Sequence, residues 1–486
     1  MKAKNNNFSQ KAKKSFAWDF FGTFIRQLSS LIVSIILARL LEPEEFGLVG
    51  MAMVFISISS VFVDVGFTDG VVQKKEISQK ALSSIFFVNV ALSIVTGCII
   101  YFSAYHIGAF YQSTDITEIV QLLSLVLPIT AISKVQEALL MKKLDFKTLN
   151  ICIVSGTLVG GGVGIFLAFH EYGAYSLVWQ QIVSAFIGSG LLWISNKWRP
   201  FFEFSWKEIS SIIKFSIFVF FDQLVQQVFR KLDTLFIGKV FSPAILGFYT
   251  RAESLNAQVT TYTSASLRKV IFPVLSTIQD DEEKFKNTYF SVFNIVGVVI
   301  SFIAGLLYFM ADKIIIVLLG EKWYPSIIIF QILVFRLISS YGGLMTKALL
   351  SKGYSKQKFR ISIVQRLIML LPLIIGFYYG IEEFALTVVI AGLFYFVYFS
   401  YMIKYYLNLS FWYHLRLALL PWLTLIVIIV CNYLFFSIEN SYILTIIFIF
   451  SQVLFLIAIK DQGFIVVKNE GLLLLKKLLR RLGQRV

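Results

Sequence analysis

Charge is what this sequence has least of. Only 15% of its 486 residues are Asp, Glu, Lys or Arg, where soluble domains carry about 25%. That shortage excludes the two to four water-soluble domains that length alone would suggest. Cysteine is scarce as well. Cys98, Cys152 and Cys431 are the three present, each in an apolar run, which excludes a disulfide framework. His106, His170 and His414 are scattered without metal-ligand spacing, so no metal site is expected. A phosphate-binding P-loop is missing. The Gly238–Lys239 pair is followed by Val240, so ATP hydrolysis by this chain is not expected. There is no G-x-S-x-G nucleophile elbow, and no cofactor is implied. A cleavable signal peptide is not expected either. Lys11, Lys13 and Lys14 precede an apolar run that is too long, holds Asp19 and Arg26, and lacks a small-residue cleavage site.

What is abundant is apolar. Hydrophobic residues make up 57% of the chain, with 49 Phe, 22 Tyr and 8 Trp, and the mean hydropathy is +0.77. A water-soluble core cannot hide so much, so lipid must be the solvent for most of this surface. A spanning helix takes about 20 apolar residues. The chain is therefore predicted to be an all-α polytopic membrane protein of about 14 transmembrane helices. Their expected positions are 16–38, 47–66, 82–104, 118–139, 150–170, 174–194, 210–237, 246–267, 288–310, 326–348, 361–379, 384–404, 417–436 and 441–459. Polar residues interrupt the seventh, eighth and tenth. Run 313–320 is too short to span, and 472–482 (LLLLKKLLRRL) has the pattern of an interfacial amphipathic helix.

The net charge of +16 would suggest nucleic acid in a soluble protein. Here it sets orientation. The tails and the loops on their side of the membrane hold 34 of the 44 Lys and Arg, and the opposite loops hold only Arg39, Lys239, Lys313 and Lys322. By the positive-inside bias, both termini are cytoplasmic and the number of spans is even.

An internal repeat divides the map. Residues 38–52 (ARLLEPEEFGLVGMA) and 238–252 (GKVFSPAILGFYTRA) align at an offset of 200, pairing Arg39 with Lys239, Pro43 with Pro243, Gly47 with Gly247 and Ala52 with Ala252. ALLMKK (138–143) is echoed by ALLSKG (348–353). Two matches in the same order point to duplication of a six-helix unit. An even unit re-enters the membrane in the same sense, which makes the repeat parallel. The expected organisation is an N-lobe at 1–204, a C-lobe at 205–408, and helices 13–14 with a basic tail at 409–486.

Ionisable residues inside a membrane are costly and usually face a cavity or each other. Helix 1 carries Asp19, Thr23, Arg26, Gln27 and Ser30 on one face, and helix 2 carries Ser57, Ser60 and Asp64. Helix 7 carries Asp222, Gln226, Arg230 and Asp233, with Gln223, Gln227 and Lys231 beside them. Helix 8 carries Arg251, Ser254, Gln258, Thr261 and Ser264. Two repeat-related polar hairpins predict a hydrophilic cleft between lobes. Its substrate-binding candidates are Arg26, Asp64, Arg230, Lys231, Arg251 and Arg336, with Asp19, Asp222 and Asp233 as coupling or charge partners. The competing expectation is mutual neutralisation: Arg26 with Asp19, Arg230 with Asp222 or Asp233, Arg251 with Glu253. Lys134 and Glu137, at the end of helix 4, read as interfacial, and Gly156, Gly160 and Gly164 as a close helix-packing stripe.

The stretch 25–76 (IRQLSSLIVSIILARLLEPEEFGLVGMAMVFISISSVFVDVGFTDGVVQKKE) resembles the start of bacterial polysaccharide exporters and lipid-linked oligosaccharide flippases. The likeness continues through MKKLDFK (141–147), 231–253, FPVLSTIQDD (272–281) and LLGEKWYP (318–325), and is closest to the colanic and teichuronic acid exporter type. These belong to the multidrug/oligosaccharidyl-lipid/polysaccharide superfamily. The resemblance implies two six-helix lobes in a V shape, a cleft lined by helices 1, 2, 7 and 8, and alternating access. It also implies a polyprenyl-diphosphate-linked glycan as substrate, a bacterial cytoplasmic membrane location, and association with polysaccharide biosynthesis enzymes. From the resemblance only Arg26, Asp64, Asp233 and Arg251, which lie within the matching segments, are carried over as site residues. A drug/cation antiporter of the same superfamily is the alternative, but its cleft should be acidic. A membrane glycosyltransferase or polymerase would need larger outer loops than the short ones here.

Overall fold

A computed structural model describes residues 2–436 and 440–458. The predicted amphipathic segment 472–482 lies outside the described residues, as do the side chains of Thr261 and Ser264. Every regular element among the described residues is helical. Eleven helical segments are long and apolar enough to cross a membrane, and each overlaps one of the fourteen expected spans. The expected helices 7 and 8 form two further helices of 35 residues each, and the last span is a shorter apolar helix, Ser441–Ala458. Side chains such as Phe102, Phe166, Ile194, Ile374 and Phe450 lie exposed on the outer faces. A monomer in water rarely shows so much apolar surface. The chain is a multi-pass membrane protein.

The chain divides into two compact units, Met1–Thr250 and Arg251–Val486. The first holds α1 (Lys2–Leu40), α2 (Pro43–Ser59), α3 (Phe67–Gln73), α4 (Gln79–Tyr111), α5 (Thr114–Ser124), α6 (Val126–Ala131) and α7 (Lys134–Lys142). It continues with α8 (Phe146–Phe169), α9 (Ala174–Ser195), α10 (Trp206–Val240) and the start of α11 (Pro243–Thr277). α8 packs along α9 and α1. The glycine stripe explains the α8–α9 approach. A Cβ at Gly156 would meet the Ser184 carbonyl oxygen at 2.7 Å, and one at Gly164 would meet Gln180 Cβ at 2.8 Å. Close backbones allow the Ser184 hydroxyl to donate to the Gly156 carbonyl at 3.0 Å.

The second unit is organised by α12 (Glu282–Phe309), the short α13 (Ala311–Leu319), α14 (Ser326–Val334) and α15 (Tyr341–Ser351). They are followed by α16 (Ser355–Ile368), α17 (Leu371–Tyr379), α18 (Ile381–Leu407), α19 (Phe411–Cys431) and α20 (Ser441–Ala458). Two buried polar groups tie α12 to α19. His414 donates from Nδ1 to the Ser410 carbonyl (2.8 Å), which leaves Nε2 to accept from the Tyr289 hydroxyl (2.9 Å), beside Phe290 and Phe293. Gln452 on α20 donates to Ser301 Oγ and to the Pro421 carbonyl, both at 3.0 Å, and accepts from Thr424 at 2.7 Å. The Pro421 carbonyl bond fixes α20 against the proline of α19, and every polar atom of Gln452 is used. Such a network suits a setting in which an unpaired amide is costly.

Candidate functional site

The site is built where the second span breaks. α2 ends at Ser59, a 3-10 turn covers Ser60–Val63, and α3 restarts at Phe67. Between them Val65 has φ +43° and Gly66 φ +73°. A β-branched residue in the left-handed region is a strained conformation. The neighbours hold it there. Ser216 on α10, fully buried, donates to the Gly66 carbonyl at 2.9 Å and so satisfies backbone that the break frees. Asp64 closes the gap. Its Oδ1 accepts from the Thr68 backbone N–H and from the Thr68 hydroxyl, each at 3.0 Å. The break turns a residue on one helical face into a fixed carboxylate facing a cavity. Asp64 lines a space of about 520 Å³, within the range of about 300–1,000 Å³ typical of ligand pockets.

Two cations share that space. Lys134, at the start of α7, pairs with Glu137 at 2.9 Å, and its charge acts on Asp64 as well. Arg230 approaches from α10. Among the described residues it forms no hydrogen bond or ion pair. The remaining polar lining is neutral: Ser57, Ser60, Thr130, Gln181 and three glutamines of α10. Gln223, Gln226, Gln227 and Arg230 fall at offsets 0, 3, 4 and 7, one face of a helix. Asp222 accepts from Gln226 at 2.6 Å on the same helix.

Of the predicted site residues, Asp64 and Arg230 are brought into one cavity. Arg26 is half-buried on α1 and makes no ion pair with Asp19, so mutual neutralisation does not account for it. Arg230 likewise pairs with neither Asp222 nor Asp233. Lys231 and Asp233 are half-buried on α10 outside the cavity lining. In the second unit, Arg336 lies in a 3-10 turn between α14 and α15 and donates to Glu253 at 3.1 Å. Arg251 is half-buried on α11. Glu253, the acid expected to neutralise Arg251, takes Arg336 as an ion-pair partner. Residues two apart on a helix point in different directions, which sequence proximity concealed. Sequence reasoning missed Gln181 and Thr130 and took Lys134 for an interfacial residue. A lysine 70 positions from Asp64 carries no signal of their proximity, because the approach depends on how α7 stacks on the broken second span.

The repeat is visible as a reciprocal contact. A Cβ at Gly47 would overlap the carbonyl of Pro243, and a Cβ at Gly247 would overlap the carbonyl of Pro43. Residue i of one copy meets residue j of the other, and j meets i, at the offset of 200 found in the sequence. This is the signature of a local two-fold relation. Lys239 closes the neighbourhood, with its ammonium on the Phe110 carbonyl and 4.7 Å over the Phe110 ring.

The wider similarities agree. The polysaccharide biosynthesis protein family matches residues 36–328, more than half of the chain. The lipopolysaccharide biosynthesis protein WzxC of Escherichia coli (strain K12) is 24% identical over 363 residues, 74% of each chain. The teichuronic acid biosynthesis protein TuaB of Bacillus subtilis (strain 168) is 21% identical over 349 residues, 70% of this chain and 71% of that one. Among solved structures, the lipid II flippase MurJ in an inward closed conformation superposes with a TM-score of 0.72 at 16% identity, covering 91% of this chain and 99% of MurJ. An inward-facing multidrug resistance transporter of the MATE family, in the MOP superfamily, gives 0.61 at 13% identity over 79% of this chain and 95% of that one. The fold is that of flippases and transporters, and by its sequence the chain belongs to the polysaccharide biosynthesis protein family.

Proposed function

We propose that this chain flips a polyprenyl-diphosphate-linked glycan unit from the inner to the outer leaflet of a bacterial cytoplasmic membrane, with both termini cytoplasmic. The observation that carries this reading is the cavity of Asp64, Lys134 and Arg230, in which Arg230 forms no ion pair among the described residues. Arg230 is exposed to that space, so its guanidinium can meet an anionic ligand without first breaking a protein ion pair. A diphosphate suits it, since the planar fork of Arg donates to two phosphate oxygens at once. The fold is shared with MATE transporters, but with Lys134 paired to Glu137 and Arg230 sharing the space with Asp64, the cavity lacks the excess of acid that a cationic drug would need. The names of WzxC, TuaB and MurJ support a glycan carried on a lipid.

In this reading residues 1–204 and 205–408 act as repeat-related lobes that expose the cleft alternately, and 409–486 is an appendix. Arg26, Lys231, Arg251 and Arg336 extend the cationic path. Asp19, Asp222 and Asp233 balance it or couple it to an ion gradient. Biosynthesis enzymes deliver the loaded carrier. The test is cellular. Cells lacking the chain should lose the surface glycan and accumulate loaded carrier, and the wild-type gene should restore export while an equally abundant Arg230→Ala protein should not. Full export by that variant refutes the site.

A further inference from the structure

The neutral part of the cavity has a chemistry of its own. Thr130 donates its hydroxyl proton to the carbonyls of Val126 (2.8 Å) and Leu127 (3.0 Å). Ser60 donates to the Ser57 carbonyl at 2.7 Å. Gln226 uses its amide N–H₂ on Asp222. Each of these groups has committed a donor and keeps oxygen lone pairs. Gln181, Gln223 and Gln227 add amides that both donate and accept. The lining therefore suits a ligand rich in hydroxyl donors that can also accept a few bonds. Ammonium groups would answer the acceptors, but Lys134 and Arg230 repel them. A carboxylated or sulfated group would compete with the diphosphate for those two cations and leave the acceptor oxygens unanswered.

We propose that this glutamine-rich wall reads a neutral, hydroxyl-bearing sugar, the one attached to the diphosphate, with Gln181 on α9 and Gln223 and Gln227 on α10 as specificity-determining residues. The inference rests on the lipid-linked glycan reading above. It goes further by naming the sugar class and the residues that select it. Two helices grip the ring from different elements while Arg230 and Lys134 hold the phosphates. Replacement by Met, a thioether for the amide, keeps side-chain length and removes the amide hydrogen bonds, so it isolates the polar contribution.

The test is binding by full-length protein in lipid nanodiscs, with two probes: undecaprenyl diphosphate alone, and undecaprenyl diphosphate bearing one neutral hexose or N-acetylhexosamine. Wild type should bind the glycosylated probe at least ~10-fold more tightly than the bare one, as expected if one or more hydrogen bonds to the sugar are gained. Gln181→Met, Gln223→Met and Gln227→Met should each erode that gain while keeping wild-type affinity for the bare probe, which also certifies their folding. Equal wild-type affinity for both probes, or an undiminished gain in all three variants, overturns the sugar wall but leaves the diphosphate site standing. Failure of wild type to bind either probe overturns both. A variant that loses the bare probe is misfolded, and Gln→Asn at the same position then decides: loss of the gain supports the proposal, retention opposes it.

Discussion

Gly47→Ala is the perturbation with the clearest geometry. The added methyl would sit against three backbone atoms of Pro243, with Cα at 2.9 Å and the carbonyl closer still. Backbone cannot rotate away as a side chain would. The starts of α2 and α11 must part by on the order of 1 Å to restore contacts of about 3.5 Å. Overpacking of this kind costs about 1–3 kcal/mol, which shifts an equilibrium about 5–150-fold. Gly50→Ala is the matched control, because its Cβ would meet only Leu246 Cδ2 at an ordinary 3.5 Å. If the reciprocal contact belongs to one state of an alternating-access cycle, Gly47→Ala should depopulate that state without unfolding the protein. Spin labels at Glu42 and Ser242, both exposed, report the separation by pulsed electron resonance in a background lacking Cys98, Cys152 and Cys431. The distance distribution should broaden to longer values in Gly47→Ala and Gly247→Ala and stay put in Gly50→Ala. Identical distributions in all four proteins would show that the contact is not a moving part.

Three further outcomes are expected. Arg26→Ala should leave an abundant, folded protein that exports at least ~10-fold less, and Arg26→Lys should recover part of the activity, because an ammonium lacks the planar fork; wild-type export by Arg26→Ala removes the residue from the path. Single cysteines at Gln112 and Glu382 should react with an impermeant thiol reagent applied to intact cells, while one at Ser355 should not, and the reverse pattern would invert the topology. Gln452→Leu leaves Ser301 and Thr424 without their buried partner, so it should cost about 1–3 kcal/mol and lower the thermal unfolding midpoint of purified protein; an unchanged midpoint would show that the α12–α19–α20 network contributes nothing.

The fold was legible because its main signals are local. A run of apolar residues announces a span whatever its neighbours do, and the Pro43/Gly47 and Pro243/Gly247 pattern carried the repeat, which the structure realises as a reciprocal backbone contact. Face periodicity put Gln226 and Arg230 on one stripe with Asp222 and Asp233, with Gln223 and Gln227 beside it, and the cavity lining takes Gln226, Arg230 and those two neighbours. What stayed hidden depends on tertiary approach. The second span was expected over 47–66, whereas the helix ends at Ser59 and restarts at Phe67; a turn signal inside an apolar run is weak until Ser216 from a distant helix supplies the compensating bond. Glu253 was assigned to Arg251 because they are close in sequence, and the structure gives it to Arg336, 83 residues away. Lys134 looked interfacial from its position at a helix end, and only the stacking of α7 near Asp64 makes it part of a cavity.

The central claim is that Arg230 meets a lipid-linked diphosphate during transport. It is tested most directly with purified protein reconstituted into vesicles, with a fluorescent polyprenyl-diphosphate sugar placed in one leaflet and its appearance in the other followed by an impermeant quencher. Wild type should move the probe well above the protein-free rate, Arg230→Lys should be slower, and Arg230→Ala should fall at least ~10-fold, the loss expected when a charge-assisted pair worth about 1.5–3 kcal/mol is removed. Movement by Arg230→Ala at the wild-type rate, or no movement by wild type above protein-free vesicles, would contradict the account.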